Sequence, residues 1–459
     1  MQRAALKFGG TSVGIAANFA QAQELVLARA KQDAKPPIVV VSALTGVTNL
    51  LVDYAALPSK RAAAAAQVEQ RHTSFAAEIG VGTACIDALL AEWRETVASH
   101  ASATALQGAE RDRVLAFGER FAAALFAAGL VARGAKATAL LAGDAGLVTD
   151  ERFGAAHPLP EASARLEQTL ARRDDIAVVT GFLGRTLDGR VTTLGRGGSD
   201  YSAAIVGAAA GVDEIQIWTD TSGMLSADPR IVPEARPVSE LSFAEASELA
   251  YFGAKVLHPK TLLPAVERGI PVRILNTARP NDAGSRITAA SAPEAGSWGV
   301  KSIASKKGVT AVTIVSTRML LAHGFLARVF EVFGRHHLVV DLVTTSEVSI
   351  SVTLDDTSRL DDALAELEGI GRVEVREGLA VIAVVGEGAP TRLGLAGHVF
   401  TLLGGVGIGV EMISQGASRV NLSFVVRGED ADRAVRLLHR GIGLDAETGT
   451  ASGAAKGLR

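Results

Sequence analysis

Lys7 closes a short apolar run and is followed at once by Phe8 and then by two glycines and two hydroxyls, Gly9-Gly10-Thr11-Ser12. Those residue types in that order suit a phosphate cradle. Ala4-Ala5-Leu6 reads as a strand and residues 15–30 have helical periodicity, so Gly9 to Ser12 fall in a strand-to-helix turn. Such a turn aims backbone N–H groups and the positive end of a helix dipole at an anion, and glycine lets the backbone come close. Lys7 adds a full positive charge beside the bound oxygens. The plainer reading is a tight turn whose lysine merely reaches out from a strand end. Gly10-Thr11-Ser12-Val13-Gly14 also fits the G-x-S-x-G nucleophile elbow, but no earlier strand and loop are present to supply a second oxyanion donor.

Four further segments carry candidate chemistry. In Leu194-Gly-Arg-Gly-Gly-Ser-Asp200, glycines flank Arg196, whose guanidinium can hold a carboxylate through two parallel hydrogen bonds; Ser199 or Asp200 can cap the helix that follows. Trp218-Thr-Asp-Thr-Ser-Gly-Met-Leu-Ser-Ala-Asp-Pro-Arg230 leaves the carboxyl end of a parallel strand, where open α/β sheets bind ligands. Gly253-Ala-Lys-Val-Leu-His-Pro259 places Lys255 just past a helix that starts at the capping box Ser242-Phe-Ala-Glu245. Glu119, in Phe117-Gly-Glu-Arg120, is either an exposed helical carboxylate paired with a neighbouring arginine or the partner of a substrate ammonium. There is no G-x-x-x-x-G-K-[ST], no complete G-x-G-x-x-G and no zinc-like spacing of His and Cys. These segments suit phosphoryl transfer by positioning and charge neutralisation, without a covalent nucleophile.

The elements that must position these groups are an α/β set. Apolar runs at 37–42, 137–141, 176–180, 215–218 and 272–275 alternate with helical patterns, which predicts a mostly parallel sheet with helices on both faces. Residues 59–134 are alanine-rich and helical, and 186–194, centred on Asp188-Gly189, read as a β-hairpin. Past a Pro, Gly, Ser and Ala-rich linker a repeat begins: Gly324-Phe-Leu-Ala-Arg-Val-Phe is echoed about 70 residues later by Gly394-Leu-Ala-Gly-His-Val-Phe. Each unit reads strand, helix, strand, strand, helix, a ferredoxin-like α+β module, and the strand 308–315 is expected to complete the second. The expected boundaries are a catalytic domain over 1–294, a linker over 295–308, a first module over 309–385 whose early strand is shared with the second, a second module over 386–450, and a tail over 451–459. A length of 459 residues calls for more than one core, and a net charge of −3 argues against nucleic acid or an acidic membrane as the main partner. The single cysteine, Cys85, rules out an internal disulfide framework; with no targeting segment and no apolar run of ~20 residues, a cytoplasmic protein is expected.

Lys7 to Ser12, Val41-Ser-Ala-Leu-Thr-Gly-Val-Thr-Asn49, Phe117 to Arg120, Gly195 to Asp200, Trp218-Thr-Asp220, Asp228-Pro-Arg230 and Gly253 to Pro259 together resemble aspartokinases, in that family's order from end to end. The resemblance implies an amino-acid-kinase domain that transfers the γ-phosphate of ATP, with Mg²⁺, to the β-carboxylate of L-aspartate, followed by two ACT domains. It assigns Lys7 to the transferred phosphoryl group and Asp200 to organising the active-site lysines. Gly9 and Gly10 would face the phosphates; Ser42, Thr48, Glu119, Arg196 and Ser199 would hold aspartate; Thr219, Asp220, Asp228, Arg230 and Lys255 would bind nucleotide. No residue is assigned as a metal ligand. Leu225 replaces an aromatic residue common in the family, which weakens base stacking there.

Met319, Gly324, Phe325, Leu326, Asp341, Thr345, Ser346 and Glu347 resemble the effector site of lysine-inhibited members, with Asp341 or Glu347 suited to the ammonium of L-lysine. Leu321 and Ala322 stand where the family has polar residues, so fewer hydrogen bonds to the effector are expected. Pairing of ACT units edge to edge would give a homodimer or tetramer. The sequence leaves no room for a fused homoserine dehydrogenase, so a monofunctional enzyme is expected. The competing reading is a non-catalytic amino-acid sensor, which loss of Lys7, Arg196 or Asp200 would favour; all three are present.

Overall fold

The computed structural model describes residues 3–253, 259–292, 298–319, 323–415 and 419–445. It divides into two compact units. The first comprises Met1–Met224, Ser239–Phe243 and Lys255–Ala290, and the second Leu225–Val238, Ala244–Ala254 and Ser291–Arg459.

The first unit holds β1 (Ala4–Phe8), β2 (Ile38–Val41), β3 (Ala137–Leu140), β4 (Ile176–Thr180), β5 (Leu183–Arg185), β6 (Val191–Thr193), β7 (Glu214–Thr219), β8 (Glu240–Ser242), β9 (Val272–Asn276) and β10 (Ser285–Thr288). Eight of these form one sheet in the order β3-β4-β2-β1-β7-β9-β10-β8, parallel throughout except for the β9–β10 pair. Every residue of β1, β2 and β4 is buried, as continuous apolar strands covered on both faces require. The hairpin β5–β6 turns at Gly189, as the Asp-Gly signal predicts. The alanine-rich region forms the helices Arg61–Glu78, Asp87–Ser99 and Gly108–Ala132. By length and composition the last of these is long and apolar enough to cross a membrane, yet Phe117, Phe121, Leu125 and Phe126 bury it in the unit's core. Phe126 stacks on Phe8 of β1 at 5.6 Å between ring centroids, which fixes the helix against the strand that carries Lys7.

The second unit holds β11 (Ser302–Val315), β12 (Val340–Thr345), β13 (Ser349–Leu354), β14 (Arg372–Val385), β15 (Met412–Ser414) and β16 (Asn421–Arg427), an antiparallel sheet in the order β12-β13-β11-β14-β16-β15. Helices Phe325–Arg335 and Leu360–Glu368 pack one core; Leu395–Gly405 and Ala431–Ile442 pack the other, which Ala227 and Val232 also enter. Two expectations are corrected here. The strand 308–315 stays with the first module, pairing with β13, and the preceding half of β11, Ser302 to Lys307, completes the second by pairing with Ala380 to Val385. Residues 302–308 are therefore strand and not linker. The expected tail, 451–459, lies outside the described residues.

Candidate active site

Three loops at the carboxyl ends of β1, β2 and β4 and the start of the helix Gly198–Ala209 enclose a cavity of about 530 Å³. Lys7 lies at its floor. Its Nζ pairs with Asp200 Oδ1 at 2.6 Å, with both side chains largely buried. A Cβ placed on Gly9 would sit 3.3 Å from that ammonium, and one on Gly10 would sit 3.1 Å from the Ala43 carbonyl, so side chains at either position would fill the cradle. Thr45 Oγ1 donates to the Gly10 carbonyl at 2.7 Å and joins the first loop to the second. Gly197 starts the Gly198–Ala209 helix at φ 69°, a left-handed conformation that glycine adopts without strain. Asp200 thus falls in the first helical turn, where the dipole favours an anion, and does not serve as the N-cap. Gly181, just past β4, lets Ser199 approach: a Cβ there would lie 2.7 Å from the Ser199 Cβ and 2.9 Å from the Val41 carbonyl.

The Gly108–Ala132 helix supplies the far wall. Gly118 brings it within contact of Ala43, and Glu119 Oε1 accepts the Ala43 N–H at 3.1 Å. Glu119 is 4% exposed, and desolvation pushes its pKa up to about 8 against the help of that hydrogen bond. It is not the surface carboxylate of the plainer reading. Arg120 turns instead to Glu92, with Nη1 donating to Oε1 at 2.7 Å. Ser42, Thr48, Glu119, Arg196, Ser199, Lys7, Gly10 and Asp200 all line this one cavity.

Three contributors escaped the sequence reading. Arg111 and Leu115 line the cavity with Glu119, and their spacing of four residues marks one helical face that could have been found. Asp112, fully buried, accepts the Gly154 and Thr193 N–H groups on Oδ2 at 2.8 and 2.7 Å, fastening two cavity-lining segments to the helix. Burial raises its pKa. Ser12, the elbow candidate, is 1% exposed, donates to the Trp218 carbonyl and shares a 2.7 Å hydrogen bond with Thr277 Oγ1, so it presents no nucleophile to solvent.

On the other side of β1, at the ends of β7 and β9, a second cavity of about 190 Å³ is lined by Thr219, Asp220, Thr11, Asn276 and Arg279 among others. Asp228 and Arg230 belong to the second unit and pair with each other, Nη2 to Oδ2 at 2.5 Å. Lys255 lies outside the described residues.

Residues 2–276 match the amino acid kinase family, and residues 382–441 match the ACT domain. The chain is 38% identical to aspartokinase 3, chloroplastic, of Arabidopsis thaliana, over 95% of this chain and 80% of that one. It is also 38% identical to the lysine-sensitive aspartokinase 3 of Escherichia coli, over 94% and 97%. The chain belongs to the aspartokinase family. As a member it is an aspartate kinase with a C-terminal ACT region. Among solved aspartokinases, E. coli aspartokinase III in complex with aspartate and ADP superposes with a TM-score of 0.82 at 36% identity, over 96% of this chain and 99% of that one. The same enzyme in complex with lysine and aspartate gives 0.77 at 35% identity, over the same shares.

The residues that resemble an aspartokinase effector site are dispersed around the first module. Phe325 is 2% exposed and its ring belongs to the module core, so it offers an effector only main chain; Leu326 beside it is 43% exposed. Met319 packs on the same core. Ser346 accepts the Val348 and Ser349 N–H groups in the β12–β13 turn, while Thr345 and Glu347 are exposed. Asp341 is enclosed: Tyr251 donates to it, and Lys306 Nζ lies 3.7 Å from Oδ2. Leu321 and Ala322 lie outside the described residues.

Proposed function

We propose that the cavity lined by Lys7 and Glu119 binds L-aspartate with its ammonium on Glu119 and one carboxylate on Arg196, and that the other carboxylate attacks the γ-phosphorus of ATP beside Lys7. The observation that carries this is a pair of unpartnered groups: the Glu119 carboxyl is buried with no cation paired to it among the described residues, and Arg196 faces the same cavity with no anion paired to it among them. An α-amino acid supplies both. One P–O bond forms to the carboxylate oxygen while the γ-phosphorus bond to the β,γ-bridging oxygen breaks, releasing ADP and an acyl phosphate. Lys7 offsets the charge that spreads over the transferred oxygens, and Asp200 holds its ammonium in place. Ser42, Thr48 and Ser199 complete the aspartate contacts; Gly9 and Gly10 face the phosphates.

Thr219 and Asp220 are proposed to meet the nucleotide, and Asp228, Arg230 and Lys255 keep the nucleotide-binding role that the family resemblance implies for them. No three His, Cys, Asp or Glu side chains converge among the described residues. They do not form a cage for Mg²⁺, which is inferred to arrive on the oxygens of ATP. Lysine is the proposed effector of the ACT region. The sheet of the second unit ends on β12 and β15, where Val343 and Ile413 are 38% and 47% exposed; these edges support pairing between chains into a homodimer or tetramer.

The test is aspartate-dependent release of ADP from ATP with Mg²⁺, with hydroxylamine trapping the acyl phosphate, repeated with lysine and threonine singly and together. ADP release that does not depend on aspartate would overturn the substrate assignment, and full activity in saturating lysine would overturn the effector.

A further inference from the structure

Thr219 ends β7 and Asp220 opens the irregular segment that follows, and nothing in that segment's own sequence fixes its shape. The Thr219 hydroxyl donates to the Asp220 carboxylate at 3.2 Å, an exposed contact of little holding power. What holds the segment comes from the next strand of the sheet. Asn276, the last residue of β9, is 2% exposed, and its carboxamide uses its full hydrogen-bonding capacity. Nδ2 donates to the Asp220 carbonyl at 3.2 Å and to Ser222 Oγ at 3.1 Å. Oδ1 accepts the N–H groups of Ala278 at 2.9 Å and Arg279 at 3.2 Å.

Thr277 extends the tie. Its N–H donates to the Thr219 carbonyl at 2.9 Å, and its hydroxyl meets Ser12 Oγ, which donates in turn to the Trp218 carbonyl. The Trp218 carbonyl also accepts the Gly9 N–H at 3.2 Å. One dipeptide therefore joins the segment carrying Thr219 and Asp220 to the glycine turn beside Lys7. Asn276, Thr277, Thr219, Asp220, Thr11 and Ser12 all line the smaller cavity.

We propose that Asn276 is a positioning residue for the nucleotide: it holds Thr219 and Asp220 in register with the glycine turn through hydrogen bonds to the main chain. This rests on the reading of the chain as an ATP-dependent kinase. An aspartate would keep the size and the acceptor but lose both donors, leaving the Asp220 carbonyl and the Ser222 hydroxyl without them and placing a buried carboxylate there.

The experiment compares wild type with Asn276→Asp and Ser222→Ala, measuring both KM values, kcat, and ADP binding by calorimetry well below each melting temperature. Asn276→Asp should raise KM for ATP and Kd for ADP by about 10- to 30-fold while KM for aspartate, bound across β1, stays within about twofold. Ser222→Ala removes one of the two acceptors and should move the same two constants by about two- to fourfold, which keeps the test alive if the first variant does not fold. A folded Asn276→Asp with unchanged KM for ATP, or with both KM values and kcat displaced alike, would overturn the proposal. A wild-type protein that turns over no ATP with aspartate would instead overturn the functional reading.

Discussion

The cavity beside Lys7 and the surroundings of Asp341 treat buried ionisable groups in opposite ways. In the cavity, Glu119 has no cation and Arg196 no anion among the described residues, so the fold leaves a zwitterion-shaped deficit. Around Asp341 the chain supplies the partners itself. Lys306 lies near Asp341 and pairs with Asp355, its ammonium sits 4.5 Å above the Tyr251 ring, and Tyr251 donates to Asp341. Burial and the neighbouring Asp355 carboxylate push Asp341 up to about 8, much as burial alone does for Glu119. Similar titration behaviour therefore arises from different causes, and only the first environment lacks a counter-ion. A ligand entering the cavity meets groups with no charged partner among the described residues, whereas an ammonium arriving at Asp341 meets Lys306 3.7 Å from Oδ2, an oxygen that accepts no hydrogen bond among them.

The largest effect that would sharpen this contrast is Lys7→Ala, expected to lower kcat by about 10²–10³ while the chain still folds, with some loss of melting temperature because Asp200 loses its partner. Steady-state rates beside a thermal melt check it, and normal turnover would remove Lys7 from the chemistry.

Next comes Glu119→Gln, which should raise KM for aspartate by about 10- to 100-fold, since a charged hydrogen bond to the ammonium is lost. The wild-type profile carries the sign. Below about 8 the ligand-free carboxyl is protonated, so kcat/KM for aspartate should fall as pH drops through that value, and the step should vanish in the variant. Stability runs the other way. The folded pKa lies above the unfolded 4.5, so the folded chain binds more protons between those values, and the group's contribution, complete below 4.5, is lost as pH rises to about 8. Glu119→Gln should accordingly gain more melting temperature over wild type above pH ~8 than near pH ~5.

Gly181→Ala probes the tight wall of the cavity. The new methyl must push Ser199 or the Val41 carbonyl, which should cost about 1–3 kcal/mol in denaturant unfolding and raise KM for aspartate severalfold. Smallest in basal terms is Asp341→Ala, expected to relieve lysine inhibition while leaving the uninhibited rate within about twofold. Retained inhibition would mean that the effector's ammonium is held elsewhere.

Much of the first unit's parallel sheet was legible from its apolar strands, and the candidate residues Lys7 and Arg196 stood out because charges beside paired glycines at strand ends are not part of an apolar packing pattern. The environment of Glu119 was not, since the same tetrapeptide serves an exposed ion pair or a buried carboxylate; only the helix phase, with Arg120 turned to Glu92, decides. Asp112 was missed because it acts on main chain far away in sequence; for Asn276 a local pattern encodes only the bonds of Oδ1 to Ala278 and Arg279, while the Nδ2 bonds to Asp220 and Ser222 come from a distant segment. Gly308 helps to explain why the linker was carried into β11, and Gly378 is its counterpart in β14. Both have positive φ and look like turn residues, yet they lie where β11 and β14 shift register against each other and the strands continue past them.

Those two long strands have a consequence for how the repeat can change. Because β11 and β14 each serve both halves, excising either half would strip hydrogen-bond partners from the half that remains. A duplicated segment has become an indivisible block, expected to open as one cooperative unit in hydrogen exchange and to resist loss of a single copy.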